Sequence, residues 1–164
     1  MNATETLQRR NRLLVKIVWG MLALGLLVNI ATGAPMLSNL AIGGVGIVSC
    51  AVVTVMTYRN WHSRYVMYLI PVFFLALTLL MITTTDTEPV ITTYFLVFVT
   101  LSVMTLYNNF RAITFATILA FAVTAFLFLS EYNVIFENHL PVTIYLFLFL
   151  IAAPLMASSR FGER

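Results

Sequence analysis

Long apolar runs alternate with short polar turns along the whole chain. The runs lie at residues 14–31, 36–58, 65–83, 90–107, 112–130 and 140–157. Each run has 18 to 23 residues, and Lys16 is the one charged residue within them. At about 1.5 Å of rise per residue, a helix of this length covers a hydrocarbon layer of roughly 30 Å. Lipid offers no hydrogen-bond partners to a backbone, so each run must be helical. The pattern predicts an all-α fold, a polytopic membrane protein with a bundle of six transmembrane helices.

The composition agrees with this fold and excludes a soluble domain. The chain is 61% hydrophobic and 9% charged, whereas a soluble domain carries roughly a quarter of its residues as charged side chains. The net charge of +3 is therefore interpreted as cations placed at one membrane face, and not as a nucleic-acid-binding surface.

The charged residues give the predicted bundle an orientation. With six spans, all nine basic residues fall on one side of the bilayer, namely Arg9, Arg10, Arg12, Lys16, Arg59, Arg64, Arg111, Arg160 and Arg164. The opposite loops hold Asp86, Glu88, Glu131, Glu137 and His139. Because cytoplasmic loops are enriched in Lys and Arg, we expect a multi-pass protein of the cell membrane with both termini in the cytoplasm.

The two ends of the chain are expected to lie outside the bilayer. Residues 1–13 form a basic cytoplasmic segment suited to anionic lipid headgroups, and residues 158–164 form a cytoplasmic exit segment. Arg9 and Arg10 before an apolar run also imitate a secretory or twin-arginine signal. Five further spans follow, and no convincing small-x-small cleavage site precedes Pro35, which favours an uncleaved first helix.

Reactive groups are missing from the predicted span centres, where no Asp, Glu, Lys, Arg or His occurs. Intramembrane enzymes, proton-coupled pumps and haem bundles need such groups. We therefore expect no catalytic residue, cofactor or metal site. His62 and His139 fall on opposite faces and cannot share a metal. Glu131 and Glu137 are interpreted either as part of a solvated acidic loop or as an outer carboxylate pair that binds a cation.

Uncharged polar residues are frequent and have two interpretations. One face of the fourth span carries Thr93, Val97, Thr100 and Met104, and one face of the fifth carries Thr117, Phe121, Thr124 and Phe128. Threonine hydroxyls in lipid bond to a carbonyl one turn earlier or to a neighbouring helix. The alternative is a small ligand cavity in the outer half of the bundle, with three polar groups facing the ligand: Asn29, Thr93 and Tyr94.

Small residues at helical spacing predict close helix packing, within the chain or between protomers. They are Gly43, Gly46 and Cys50 in the second span and Ala112, Ala116 and Ala120 in the fifth. A homodimer or higher homo-oligomer is expected. Pro71 and Pro154 lie inside spans and predict kinks. Pro154 with Ser158 and Ser159 is a candidate hinge where the sixth span leaves the membrane.

Four stretches of the chain together resemble a known receptor family. They read ETLQRRNRLLVKIVWGMLALG, VMTYRNWHSRYVMY, ITTYFLVFVTLSVMTLYNNFRAI and PLMASSRFGER. They are similar to the six-span N-terminal membrane region of Bacillus-type methyl-accepting chemotaxis proteins. The resemblance covers essentially all 164 residues and is carried by interface and turn patterns.

The resemblance implies a sensory, signal-input domain. In that family the sixth span continues into a cytoplasmic helical hairpin that carries methylated glutamates and engages a histidine kinase through an adaptor. This sequence does not contain that hairpin, so it is expected to stop before an output domain. Two other functions stay open: the six-helix substrate-binding subunit of a transporter, and a membrane scaffold without a ligand.

Overall fold

The computed structural model describes residues 3–31, 33, 35–59, 63–84, 93–130 and 141–162. Within these residues the chain forms helices and no strand. The helices are α1 (Ala3–Ala31), α2 (Met36–Tyr58), α3 (Ser63–Thr84), α4 (Leu96–Met104) with a 3-10 turn (Thr105–Tyr107), α5 (Phe110–Ser130) and α6 (Pro141–Gly162). The predicted all-α fold is confirmed.

Five of the described helices are long and apolar enough to cross a membrane. Their apolar segments are Thr6–Ala31, Asn39–Tyr58, Arg64–Thr83, Phe110–Ser130 and Val142–Arg160. The predicted fourth span corresponds to a shorter apolar helix, Leu96–Tyr107, and residues 90–92 lie outside the described part of the chain. The chain is therefore a membrane protein by the length and composition of its helices.

The helices at both ends of the chain are longer than their apolar runs. α1 begins at Ala3 and includes nearly all of the basic segment predicted at 1–13, because Glu, Gln and Arg are good helix formers. α6 continues to Gly162 and so takes in most of the exit segment predicted at 158–164. Hydropathy locates the part of a helix that lies in lipid, and the helical backbone extends beyond it.

The third helix lies at the centre of the bundle. α3 packs against α1, α2, α4 and α5. α6 lies at the periphery and packs against α5 and, less extensively, α4. Both predicted kink residues, Pro71 and Pro154, are inside continuous helices.

The surface of the bundle is apolar, as a lipid-facing surface should be. Large side chains such as Leu37, Leu129 and Phe147 are exposed on its outside, whereas the fully buried positions include Leu14, Leu101 and Leu148. Lipid tails solvate the outer side chains, so the exposed apolar area carries no cost in a bilayer.

A sharp turn separates α4 from α5. Asn108 has a φ of 46°, in the left-handed region that asparagine tolerates better than most residues. The next residue, Asn109, accepts a hydrogen bond from the backbone N–H of Ala112 through its side-chain Oδ1, at 3.2 Å. This bond satisfies one of the free N–H groups at the start of α5.

Candidate functional site

A cavity of about 370 Å³ lies between α1, α2, α3 and the start of α4. Its walls are mainly aliphatic and aromatic, and include Leu22, Ile42, Val53, Ile70 and Phe74. No charged side chain is among its lining residues within the described part of the chain. The volume is near the lower end of the roughly 300–1,000 Å³ that ligand pockets occupy, so the cavity suits a small molecule.

Four of the residues that line this cavity have a polar side-chain group: Ser49, Cys50, Thr78 and Thr93. The Ser49 hydroxyl donates to the Val45 carbonyl at 2.7 Å, and the Thr78 hydroxyl donates to the Phe74 carbonyl at 2.8 Å. A hydroxyl has one hydrogen and two lone pairs. Each hydroxyl, after donating its hydrogen, keeps lone pairs that can accept a further hydrogen bond.

The cavity reaches the surface of the bundle along α1. Leu24 and Val28 line it although they are 63% and 61% exposed. Gly25 also lines it, and a Cβ atom built there would meet nothing within 4 Å. The absence of a side chain at Gly25 therefore leaves part of this space open.

The three residues predicted to face a ligand are not brought together at one site. Thr93 lines the cavity. Tyr94, its neighbour, is 2% exposed and points to α5. Asn29 is buried next to Val28, which lines the cavity. Ser49 and Thr78 were not singled out by the sequence argument, although a polar residue near the middle of an apolar run is the signal that could have found them.

Side chains on one face of α5 contact both the segment around α4 and the helix α6. The hydroxyls of Tyr94, in the helical turn just before α4, and of Thr124 on α5 are 2.8 Å apart and buried. The Thr124 hydroxyl donates its hydrogen to the Ala120 carbonyl at 2.7 Å, so Tyr94 is the donor of the bond between the helices.

On the same face of α5, aromatic rings hold α6. The Tyr145 ring of α6 stacks on Phe121 with centroids 5.8 Å apart and on Phe128 with centroids 5.4 Å apart. We call these three rings the Tyr145 clamp. The polar and aromatic positions predicted to share a face of the fifth span thus form the contact surface between α5 and its neighbours.

No family model, curated protein or solved structure matches the chain.

The small residues lie in contacts within the chain. Ala112, Ala116 and Ala120 are each 0% exposed on α5. On α2, a Cβ atom at Gly46 would come 2.3 Å from a side-chain methyl of Leu22 on α1, whereas one at Gly43 would meet Leu26 at 3.6 Å. The remaining small residue of that face, Cys50, is buried and lines the cavity.

Basic side chains hold several helix ends together at one end of the bundle. Arg10 of α1 donates to the backbone carbonyl of Tyr107. The guanidinium of Arg12 lies 5.8 Å from the centre of the Tyr58 ring, and that of Arg160 lies 6.0 Å from the Phe110 ring. The start of α1 thus contacts the ends of α2 and α4, and the end of α6 contacts the start of α5.

The residues proposed as an exit hinge lie in the last turns of α6. Pro154 and Ser158 are exposed, and Ser159 is 1% exposed with its hydroxyl donating to the Met156 carbonyl at 2.9 Å. Among the described residues no group of three His, Cys, Asp or Glu side chains could hold a metal. The predicted outer residues Glu131, Glu137 and His139, and also His62, lie outside the described residues.

Proposed function

We propose that the chain is a membrane sensory module of the chemotaxis-transducer kind, with six spans and both termini in the cytoplasm of a bacterial cell. A stimulus changes the packing among the helices, and α6 carries the change to the cytoplasmic side. The basic contacts of Arg10, Arg12 and Arg160 lie at the end that the positive-inside rule assigns to the cytoplasm, which supports this orientation.

The chemistry of the buried groups supports a binding and signalling role over catalysis. The buried polar groups of the described bundle belong to Asn, Ser, Thr and Tyr side chains and to Cys50, and several of the Thr hydroxyls are bonded to carbonyls of their own helix. Such groups can bind a ligand and hold helices together, but they are poor acids, bases and nucleophiles without an activating partner.

The observation that carries the proposal is the attachment of α6. Among the described residues, this helix packs mainly against α5 and less extensively against α4, and the Tyr145 clamp adds aromatic contacts to α5. A peripheral helix can shift without unpacking the bundle. An equilibrium between two arrangements of α6 responds to a few kcal/mol of differential binding, and about 5.5 kcal/mol takes it from 1:99 to 99:1.

The proposed partners follow from the proposed sensory function. The complete transducer would be a homodimer or higher homo-oligomer in the lipid bilayer, and its output coil would engage a histidine kinase through an adaptor. The chain needs no cofactor for this role.

A chimera tests the proposal. The chain is joined through Arg164, in helical continuity, to the cytoplasmic hairpin of a chemotaxis transducer, and the activity of the bound kinase is measured in membranes. Tyr145→Ala removes the clamp and should change kinase activity by about threefold or more, since loss of an aromatic pair is worth about 0.5–1.5 kcal/mol beyond area burial. Phe147→Ala is the matched control, because Phe147 is on α6 but 54% exposed.

Equal kinase activity in the two variants, at equal amounts of membrane-inserted chimera, would count against signalling through α6. Insertion of one to three residues at the junction gives a second measurement. If α6 continues as one helix into the hairpin, kinase activity should depend on how far the inserted residues rotate that helix. Kinase activity that is the same for every insertion would contradict the proposal.

The cavity favours a second function, the substrate-binding subunit of a small transporter. Such a subunit would need a partner ATPase, and its small-residue faces would bind that partner. The alanine face of α5 is already buried within the chain, which favours the sensory role. Uptake of a labelled compound by cells that require this chain would favour transport instead.

A further inference from the structure

The geometry points to the cavity between α1, α2 and α3 as the binding site of a small, uncharged, largely apolar molecule that carries one hydrogen-bond donor, such as a phenol or an aromatic N–H compound. This inference rests on the proposed sensory function and names the class of its stimulus.

The walls of the cavity exclude charged ligands. Its lining residues are neutral and mostly hydrocarbon, and an ion in such surroundings would lose its hydration without gaining a counter-charge. An apolar or aromatic body instead gains contact with side chains such as Ile70, Phe73 and Phe74.

The hydroxyls of Ser49 and Thr78 determine the polar part of the ligand. Each donates its only hydrogen to a carbonyl one turn earlier on its own helix, and each residue is at most 6% exposed. Their free lone pairs can only accept a hydrogen bond. A ligand with one donor can bond to one of these two hydroxyls, whereas an ether or a hydrocarbon of the same shape cannot bond to either.

This polar requirement separates a small molecule from a lipid tail. An acyl chain could enter along Leu24 and Val28, where the cavity meets the surface, but it has no donor for Ser49 or Thr78. The opening along α1 would give a membrane-dissolved molecule a path to the cavity from within the bilayer.

The placement of the cavity also connects it to the rest of the bundle. It is lined by residues of α3, the helix that contacts α1, α2, α4 and α5, and by Thr93 and Leu96 of the α4 segment. Thr93 is adjacent to Tyr94, whose hydroxyl bonds to Thr124 on α5. A ligand that displaces Thr93 would therefore act on the helix that holds α6.

The first experiment measures binding of two matched probes to the full chain in lipid nanodiscs. 1-Naphthol has a donor, and 1-methoxynaphthalene has the same rings without one. Equilibrium dialysis against nanodiscs with and without the protein separates binding from partition into lipid. We expect saturable binding of 1-naphthol, and binding of 1-methoxynaphthalene weaker by about fivefold or more, as one hydrogen bond provides.

Variants assign that binding to the cavity. Gly25→Leu fills open space on its wall, and we expect it to abolish saturable binding of 1-naphthol. Gly20→Leu is the control, because Gly20 is also on α1 and also has open space around its Cβ position, but does not line the cavity. Helical circular dichroism and gel-filtration elution of both variants should match those of the parent chain.

Removal of the acceptors tests the polar part. Ser49→Ala with Thr78→Val removes both acceptors and should weaken 1-naphthol binding about fivefold while leaving 1-methoxynaphthalene unchanged, since the single O–H of 1-naphthol loses one hydrogen bond worth about 1 kcal/mol. Ser102→Ala is the control, because its hydroxyl bonds back to Phe98 in the same way but is exposed outside the cavity.

Three results would overturn the inference. They are equal affinity of the two probes, binding that survives Gly25→Leu, and a phospholipid that co-purifies with the parent chain, is absent from Gly25→Leu and is not displaced by 1-naphthol. The last result would assign the cavity to a lipid tail. None of these measurements uses kinase output, so a failure here is distinguishable from a failure of the sensory function.

Discussion

The Tyr94 hydroxyl donates a hydrogen bond of 2.8 Å to the Thr124 hydroxyl, in a region where both residues are at most 2% exposed. The bond joins the helical turn just before α4 to α5, and the Thr124 hydroxyl donates its own hydrogen to the Ala120 carbonyl. It therefore helps to fix the rotation of this short segment against the longer α5.

Tyr94→Phe removes this bond and keeps the ring. We expect it to lower the free energy of unfolding by about 0.5–1.5 kcal/mol, since the acceptor keeps its bond to Ala120. Steric-trapping unfolding in bicelles measures the change. Tyr58→Phe serves as the control because Tyr58 is 58% exposed. In a double-mutant cycle with Thr124→Val, the loss of unfolding free energy in the double variant should differ from the sum of the two single losses. Equality with that sum would show that the two hydroxyls do not interact.

Gly46→Ala should destabilise the contact between α1 and α2. A Cβ there would lie 2.3 Å from a Leu22 methyl, so the helices must separate or Leu22 must change rotamer, at about 1–3 kcal/mol. Gly43→Ala is the matched variant, because its Cβ would be in ordinary contact with Leu26 at 3.6 Å. The same unfolding assay compares the two. If Gly43→Ala lowered the free energy of unfolding as much as Gly46→Ala, the close contact between Gly46 and Leu22 would be refuted.

Arg10→Ala should free the end of α4. The Tyr107 carbonyl that Arg10 bonds lies in the last turn, where no helical N–H remains to satisfy it. We expect a loss of about 1–2 kcal/mol in unfolding free energy, less than for a fully buried charged bond because Arg10 is half-buried. Arg9→Ala, at an exposed position of the same helix, should change stability little. Hydrogen exchange of the backbone amides of α4 measures the stability of this helix directly. Unchanged protection of these amides in Arg10→Ala would contradict this role for Arg10.

Cysteine labelling tests the proposed topology. In a Cys50→Ala background, Cys placed at Thr87 should react with a membrane-impermeant maleimide added to intact cells. Cys placed at Asn60 should react only after the membrane is opened. The charge distribution makes this prediction, since the basic turn that holds Asn60 is assigned to the cytoplasm. Reversed accessibility would overturn the orientation.

The periodicity of the sequence was sufficient to predict most helix bounds. The run predicted at 36–58 is the helix Met36–Tyr58, and that at 112–130 lies within Phe110–Ser130. The expected threonine bonding is also confirmed: the Thr100 and Thr117 hydroxyls donate to the Leu96 and Ile113 carbonyls. These features depend on local spacing, which a sequence shows directly.

The candidate site depends on distances between helices, which local spacing does not contain. The sequence does not distinguish Gly43 from Gly46. The structure does, because a Cβ atom at Gly46 would lie too close to Leu22. Tyr94 and Thr93 are adjacent, yet one contacts α5 and the other lines the cavity. The cavity exists because α1, α2 and α3 leave space around Gly25, a property of three helices together.

The central position of α3 has a consequence for synthesis. The α1–α2 hairpin is made before α3, and the contact between Gly46 on α2 and Leu22 on α1 should help the two helices pack in the bilayer. α3 then provides the surface against which α4 and α5 pack, and α6, which is made after them, packs mainly against α5. A nascent chain released before α6 is made should therefore already hold its first five helices in their final arrangement.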